Sequence, residues 1–178
     1  MSSGRRISDT VEAGVSLAVQ SSPQPARLPL QKDKITIRDA ELNDAPELAA
    51  LMCELGYETK RSEMETRLEL ILSNPACKTF VAVMDGSVCG MIGTLTYPSY
   101  EHNDPSGRIL ALVISSAARR RGIGCALVAT AEKEFARRGI KRVALGTRLT
   151  REDAHKFYES LGYERNGWRF VKQLPMSN

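Results

Sequence analysis

A chain of 178 residues, 42% hydrophobic and 26% charged, is long enough to bury one substantial core, and no shift in composition divides it in two. Its four cysteines, Cys53, Cys77, Cys89 and Cys125, are widely spaced and form no C-x-x-C pair. That spacing excludes a disulfide framework and a cysteine zinc site, and it points to a reducing, cytoplasmic setting. The net charge of +4 is modest and gathers at Arg119 to Arg121 and at Arg137 to Arg142, so a polyanionic small ligand accounts for it without nucleic acid.

Residues 1–33 contain Arg5-Arg6, then Asp9 and Glu12, then a Ser/Pro/Gln stretch from Ser21 to Pro29. Acidic residues interrupt any apolar signal core, so neither a secretory signal nor a membrane span is expected. The segment reads as a flexible arm ahead of a single domain at 34–178.

In that domain, Ile35-Thr36-Ile37-Arg38 predicts a strand. Asp44 with Glu47 predicts a capped helix whose Leu48, Leu51, Met52 and Leu55 share one face, and Ser62 with Glu65 repeats the pattern ahead of Leu68, Ile71 and Leu72. Phe80 to Met84 and Val88 to Leu95 read as strands joined by Asp85-Gly86, a strong hairpin signal. Arg108 to Ile114 is a further β-rich run, and Gly122 to Arg138 is an amphipathic helix with Leu127, Val128, Ala131 and Phe135 buried and Gly139 as its stop. Val143-Ala144-Leu145 follows as a strand. Thr150 with Asp153 caps a last helix carrying Ala154, Phe157, Tyr158 and Leu161, and Trp168 to Gln173 is expected to close the sheet.

The chemistry concentrates between the β-rich run and the long helix. There Arg119-Arg120-Arg121-Gly122-Ile123-Gly124-Cys125-Ala126 sets two glycines and three arginines at a helix start. Glycines let backbone N–H groups approach an anion, and the helix end adds a positive dipole, so the segment reads as a phosphate cradle. No Gly-Lys-Ser/Thr closes a P-loop and no G-x-G-x-x-G is present, which sets aside the two common nucleotide fingerprints.

Arg-x-x-Gly-x-Gly after a strand, followed downstream by Ala154-His155-Lys156-Phe157-Tyr158-Glu159-Ser160-Leu161-Gly162-Tyr163, resembles the GNAT superfamily of acyl-CoA-dependent N-acetyltransferases from about Ile35 to Leu174. Residues 151–158 and 167–172 are most similar to aminoalkylphosphonate N-acetyltransferases. The resemblance implies an α/β GNAT fold, a mixed, mostly antiparallel sheet of six to seven strands with helices on both faces, the first two helices flanking the acceptor. It implies acetyl-CoA as co-substrate and a small-molecule primary amine as acceptor. A homodimer is common in the family, although no self-complementary interface is legible here.

Carried over residue by residue, the backbone of Leu112, Val113 and Ile114 corresponds to the strand that pairs with the pantetheine arm. Arg120, Arg121, Gly122, Ile123, Gly124, Cys125 and Ala126 correspond to the pyrophosphate cradle, with Arg119 the signature basic residue. Tyr158 corresponds to the general acid that protonates the departing thiolate, the favoured reading over a core aromatic, which its place on the helix also suits.

The chain departs from the family at two places. Ala111 and Arg108 stand where relatives can carry an acidic residue, which leaves the proton acceptor open, with Glu101 and His102 as candidates acting through water and His155 as another. Arg151 stands where many members have a coenzyme-contacting asparagine. A divalent ion at His102 and Asp104 is compatible with the subfamily, but no ligand set is assigned. Arg108 and Arg169 are candidates for an acidic acceptor group. An acyl-CoA-binding regulatory module without turnover is the alternative, as are other acceptors: an aminoglycoside, a polyamine or a protein N-terminus.

Overall fold

The computed structural model describes residues 34–174. The expectations for residues 1–33 lie outside the described residues. In chain order the elements are β1 (Ile35–Asp39), α1 (Ala45–Glu54), α2 (Arg61–Ser73), β2 (Cys77–Met84), β3 (Ser87–Tyr97), β4 (Ser106–Ile114), α3 (Ile123–Arg137), β5 (Val143–Leu145) and α4 (Glu152–Ser160). Single 3-10 turns precede α1 and follow β4.

The strands form one sheet in sequence order. β1 to β4 pair antiparallel, whereas β5 lies parallel to β4 after a crossover through α3. The β2–β3 hairpin closes on Asp85 (φ 51°) and Gly86 (φ 83°), two left-handed residues as a type I′ turn demands.

Side-chain alternation along the strands sends residues to two separate cores. Phe80, Ala82, Ile92 and Ile109 meet α3 through Ile123, Leu127, Val128, Ala131 and Phe135. Val81, Met91 and Val113 meet α1 and α2 through Leu48, Leu51, Met64 and Leu68. Leu127 and Leu48 are essentially inaccessible to solvent, and burial of a side chain of this size contributes roughly 2 kcal/mol.

Four local expectations are corrected. The sheet has five strands among the described residues instead of six to seven, because Trp168 to Gln173 forms no strand and its residues are exposed. In an extended register Trp168 and Phe170 would share a face with Lys172, and β5 is only three residues long, so little ladder is on offer.

The second helix starts earlier than Ser62, with Lys60 and Glu63 forming the capping box, where the Lys60 N–H donates to the Glu63 carboxylate at 3.0 Å. The last helix takes Arg151, not Thr150, as its N-cap. Asp44 does precede α1, but its carboxylate faces Arg38 (2.6 and 2.8 Å) and the Glu41 N–H (2.8 Å) instead of capping that helix.

Candidate active site

Two irregularities in β4 create the site. Its register against β3 passes from Ala111 opposite Gly93 to Ile109 opposite Thr94, so Leu110 is an extra, unpaired residue. A bulge of this kind reverses the alternation of faces. Upstream, Ile109 packs on the α3 side; downstream, Ala111 and Val113 turn to the α1/α2 side, and Leu112 and Ile114 to the α3 side.

The second irregularity is a fork. β5 pairs only with Gly107, Arg108 and Ile109, so Leu110 to Ile114 have no strand neighbour on that side among the described residues. This stretch of β4 therefore offers backbone donors and acceptors to an extended ligand arm.

At the head of the fork lies the basic turn. Arg120 (φ 64°) and Gly122 (φ 78°) are both left-handed, with Arg121 between them outside that region. Such alternation turns successive N–H groups into one concavity. α3 begins at Ile123 with no side-chain cap and no acidic residue in its first turn, leaving the opening N–H groups and the positive dipole end uncompensated. An anionic phosphate fits this donor set.

Arg119 braces the turn: its Nε donates to the Ile114 carbonyl at 3.2 Å and its Nη2 lies 3.6 Å from Glu54. Glu54 also accepts the Ser116 N–H at 2.7 Å, a link between residues 62 apart that no local pattern announces. Arg120, Arg121 and Cys125 are exposed; Arg121 reaches the Met84 sulfur at 3.7 Å.

Tyr158, on α4, packs against the core that holds Leu112 and Ile114. Its ring meets Phe157 and Tyr163 edge-on, at 5.1 and 5.6 Å between centroids. Burial pushes the phenol up to about 12, so it is a protonated acid at neutral pH. Its hydroxyl makes no hydrogen bond among the described residues, whereas Tyr163 donates to Glu132 at 2.9 Å. Gly124 permits the α3–α4 contact: a Cβ there would lie 3.3 Å from the Phe157 ring.

On the opposite face, between α1, α2 and the sheet, is a cavity of about 150 Å³. Met52, Met64, Met91 and Leu110 make most of it apolar, Ala111 lines it at the bulge, and Arg67 is its charged residue. Arg108 leaves β4 between Gly107 and Ile109, which face α3, so it projects to this same face. The guanidiniums of Arg108 and Arg169 both come within 3.9 Å of where a Gly146 Cβ would sit.

Other sequence-derived candidates fall elsewhere. Arg151 is half-buried and donates to the Leu55 carbonyl at the end of α1. Glu101 and His102 are exposed on the loop before β4, and Ser106, where β4 starts, is roughly 20 Å of strand away from Leu112. That loop is pinned by Asp104 to Arg142 at 2.8 Å, which holds the Asp104 carboxyl below its usual range. His155 bonds the Arg148 carbonyl at 3.1 Å. Among the described residues no group of three or more His, Cys, Asp or Glu is placed to hold a metal, and no helix is long and apolar enough to cross a membrane.

Comparison with known proteins agrees with this geometry. Residues 45–163 match the family model described as "Acetyltransferase (GNAT) family". The chain is 32% identical over 143 residues to an aminoalkylphosphonate N-acetyltransferase of Salmonella typhimurium, covering 78% of this chain and 90% of that protein. It is 30% identical over 120 residues to the N-acetylaspartate synthetase of Rattus norvegicus, covering 67% of this chain but only 37% of that longer protein. Among solved structures, an aminoglycoside N-acetyltransferase in complex with CoA superposes with a TM-score of 0.73 at 18% identity, over 84% of this chain and 100% of that one, a likeness of fold. A sheet forked beside a basic glycine turn, the family model and the identity to acetyltransferases together show that the chain belongs to the acetyltransferase (GNAT) family and is an N-acetyltransferase.

Proposed function

We propose that this enzyme transfers an acetyl group from acetyl-CoA to the primary amine of a small acidic molecule, an aminoalkylphosphonate being the leading acceptor. The observation that carries the reading is the fork in β4, with the anion cradle at its head and an arginine-bearing cavity on the other face. The relatives at 32% and 30% identity support the acidic acceptor, because a phosphonate and an aspartate both place an anion close to the reacting amine. The cavity, well below the ~300 Å³ at which pockets for drug-sized ligands begin, favours a short acceptor over an aminoglycoside.

The unpaired edge at Leu112, Val113 and Ile114 would hold the pantetheine arm, and the N–H groups from Arg120 to Ala126 the pyrophosphate. Bound there, acetyl-CoA supplies a thioester whose carbonyl carbon is attacked by the amine, so that a C–N bond forms, the C–S bond breaks and sulfur leaves as thiolate. A β4 N–H near Val113 donates to the carbonyl oxygen as negative charge develops on it. Tyr158 holds its proton until the sulfur departs and then delivers it.

The amine must attack uncharged, and its nitrogen gives up a second proton as the amide forms, which restores the one that Tyr158 delivers to the sulfur. Neither Glu101 nor His102 lines the cavity, so their part in this proposal is to relay a proton through water. The test follows thiol release from acetyl-CoA over a panel of amines led by aminomethyl- and aminoethylphosphonate, with and without divalent metal. Fast release with the phosphonates is expected. Tight acetyl-CoA binding with no release from any amine would instead support a regulatory acyl-CoA binder.

A further inference from the structure

We infer that Arg67 selects the acceptor by binding its acidic group, an assignment that rests on the acidic-amine reading and deepens it. Arg67 is on α2 and lines the cavity whose sheet-side wall includes Ala111, the first paired residue after the β4 bulge. An acceptor with its amine toward the bulge therefore has its other end within the same small cavity. Among the described residues the rest of the lining is apolar apart from Thr79 and Thr94, so Arg67 supplies the one full charge there.

The guanidinium is held in place before any ligand arrives. Nη1 donates to the Thr59 hydroxyl at 3.1 Å, and that hydroxyl in turn donates to the Tyr57 carbonyl at 2.9 Å. Thr59 is itself buried, so this anchor is rigid. The ion pair to Glu63 is long at 3.7 Å and solvent-exposed, weak enough to be exchanged for a ligand anion. A guanidinium carries five N–H donors in a planar fork, and the one given to Thr59 leaves enough for a two-point contact with a phosphonate or carboxylate.

Arg108 and Arg169 are the competing assignment. They meet at Gly146, beyond the end of β5, and neither lines the cavity. The acidic group of a short acceptor, with its amine near Ala111, is assigned to Arg67 for that reason.

The experiment compares steady-state constants for aminoethylphosphonate and for n-propylamine, which has the same reach without the charge, in the wild-type enzyme and in Arg67→Gln, Arg67→Lys and Arg108→Gln. Loss of a charged two-point contact is expected to raise the KM for the phosphonate roughly tenfold to hundredfold in Arg67→Gln. The KM for propylamine and the acetyl-CoA KM should stay within about twofold, and Arg67→Lys should recover part of the loss. An equal loss for both amines, or a selective loss in Arg108→Gln with none in Arg67→Gln, overturns the assignment while leaving the acidic acceptor standing. If the wild-type enzyme turns over no acidic amine, the acceptor reading falls and the Arg67 assignment falls with it.

Discussion

The carboxylate of Glu54, the last residue of α1, accepts the backbone N–H of Ser116 at 2.7 Å and lies 3.6 Å from Arg119, so α1 is fastened to the basic turn that leads into α3. Glu54→Ala removes both links. The expected result is a several-fold rise in the acetyl-CoA KM with a stability loss of about 1 kcal/mol, the scale of one hydrogen bond, read by kinetics and by denaturant unfolding. An unchanged acetyl-CoA KM would mean that the turn holds its shape without α1.

Gly124→Ala tests the α3–α4 contact. Alanine gains up to about 1 kcal/mol of helix propensity over glycine, while the new methyl presses on the Phe157 ring at 3.3 Å, and overpacking typically costs 1 to 3 kcal/mol. The net effect runs from neutral to about 2 kcal/mol destabilising, so the melting temperature should hold or fall by several degrees. Tyr158 follows Phe157 in the chain, however, and kcat should drop at least tenfold; wild-type turnover would show that the acid tolerates displacement.

The phenol of Tyr158 fixes the alkaline behaviour. With its pKa pushed up to about 12 from the ordinary 10, the acid stays protonated across the working range, so kcat should show no descending limb below about pH 11 from this group. The raised pKa means that the folded state keeps its proton longer; that stabilisation is full below pH 10 and is lost as pH rises through 12. Tyr158→Phe should lower kcat by about 10² to 10⁴ with acetyl-CoA affinity retained, and a kcat within threefold of wild type would exclude the role.

Asp44 controls stability at the acid end. The hydrogen bond from Arg38 holds its carboxyl below the usual range, with the Glu41 N–H adding to the effect against the cost of burial. A depressed folded pKa gives stability that is present above the unfolded value near 4 and is lost as pH falls through the folded one. Asp44→Asn is expected to cost roughly 2 kcal/mol at neutral pH, moderated because Arg38 is partly exposed, and to flatten the acid side of the stability curve. A mutant curve parallel to that of wild type would assign the acid sensitivity elsewhere.

Most elements were legible because their patterns are local. Asp85-Gly86 fixes a hairpin whichever way the sheet packs, and the stripe Leu127, Val128, Ala131, Phe135 demands a helix with one buried face. The turn at Gly122 was legible for the same reason, since it takes a left-handed φ of 78°, whereas the packing of Gly124 on Phe157 joins residues far apart in the chain and was not. Arg67 and Glu54 were not, because each stands at a spacing that suits an ordinary surface charge and acquires a role only once α1 and α2 lie on the sheet. The bulge at Leu110 gives no sign in an unbroken apolar run, where an extra residue leaves the composition unchanged. The expected last strand failed for the converse reason: Trp168 to Gln173 looks strand-like by itself, but β5 gives it little to pair with.

The phase change at Leu110 makes β4 two strands in one, with separate tasks. Arg108 and Ala111 face the α1/α2 side of the sheet, while the Leu112 and Ile114 side chains answer to α3 and α4. Under the proposed function, acceptor choice can therefore drift, through single changes upstream and at Ala111, without disturbing the edge proposed to hold the coenzyme. Deleting Leu110 would close the bulge yet leave Ile109 opposite Thr94 and Ala111 opposite Gly93, each on the face it now occupies, whereas inserting a residue elsewhere in β4 would turn buried side chains outward.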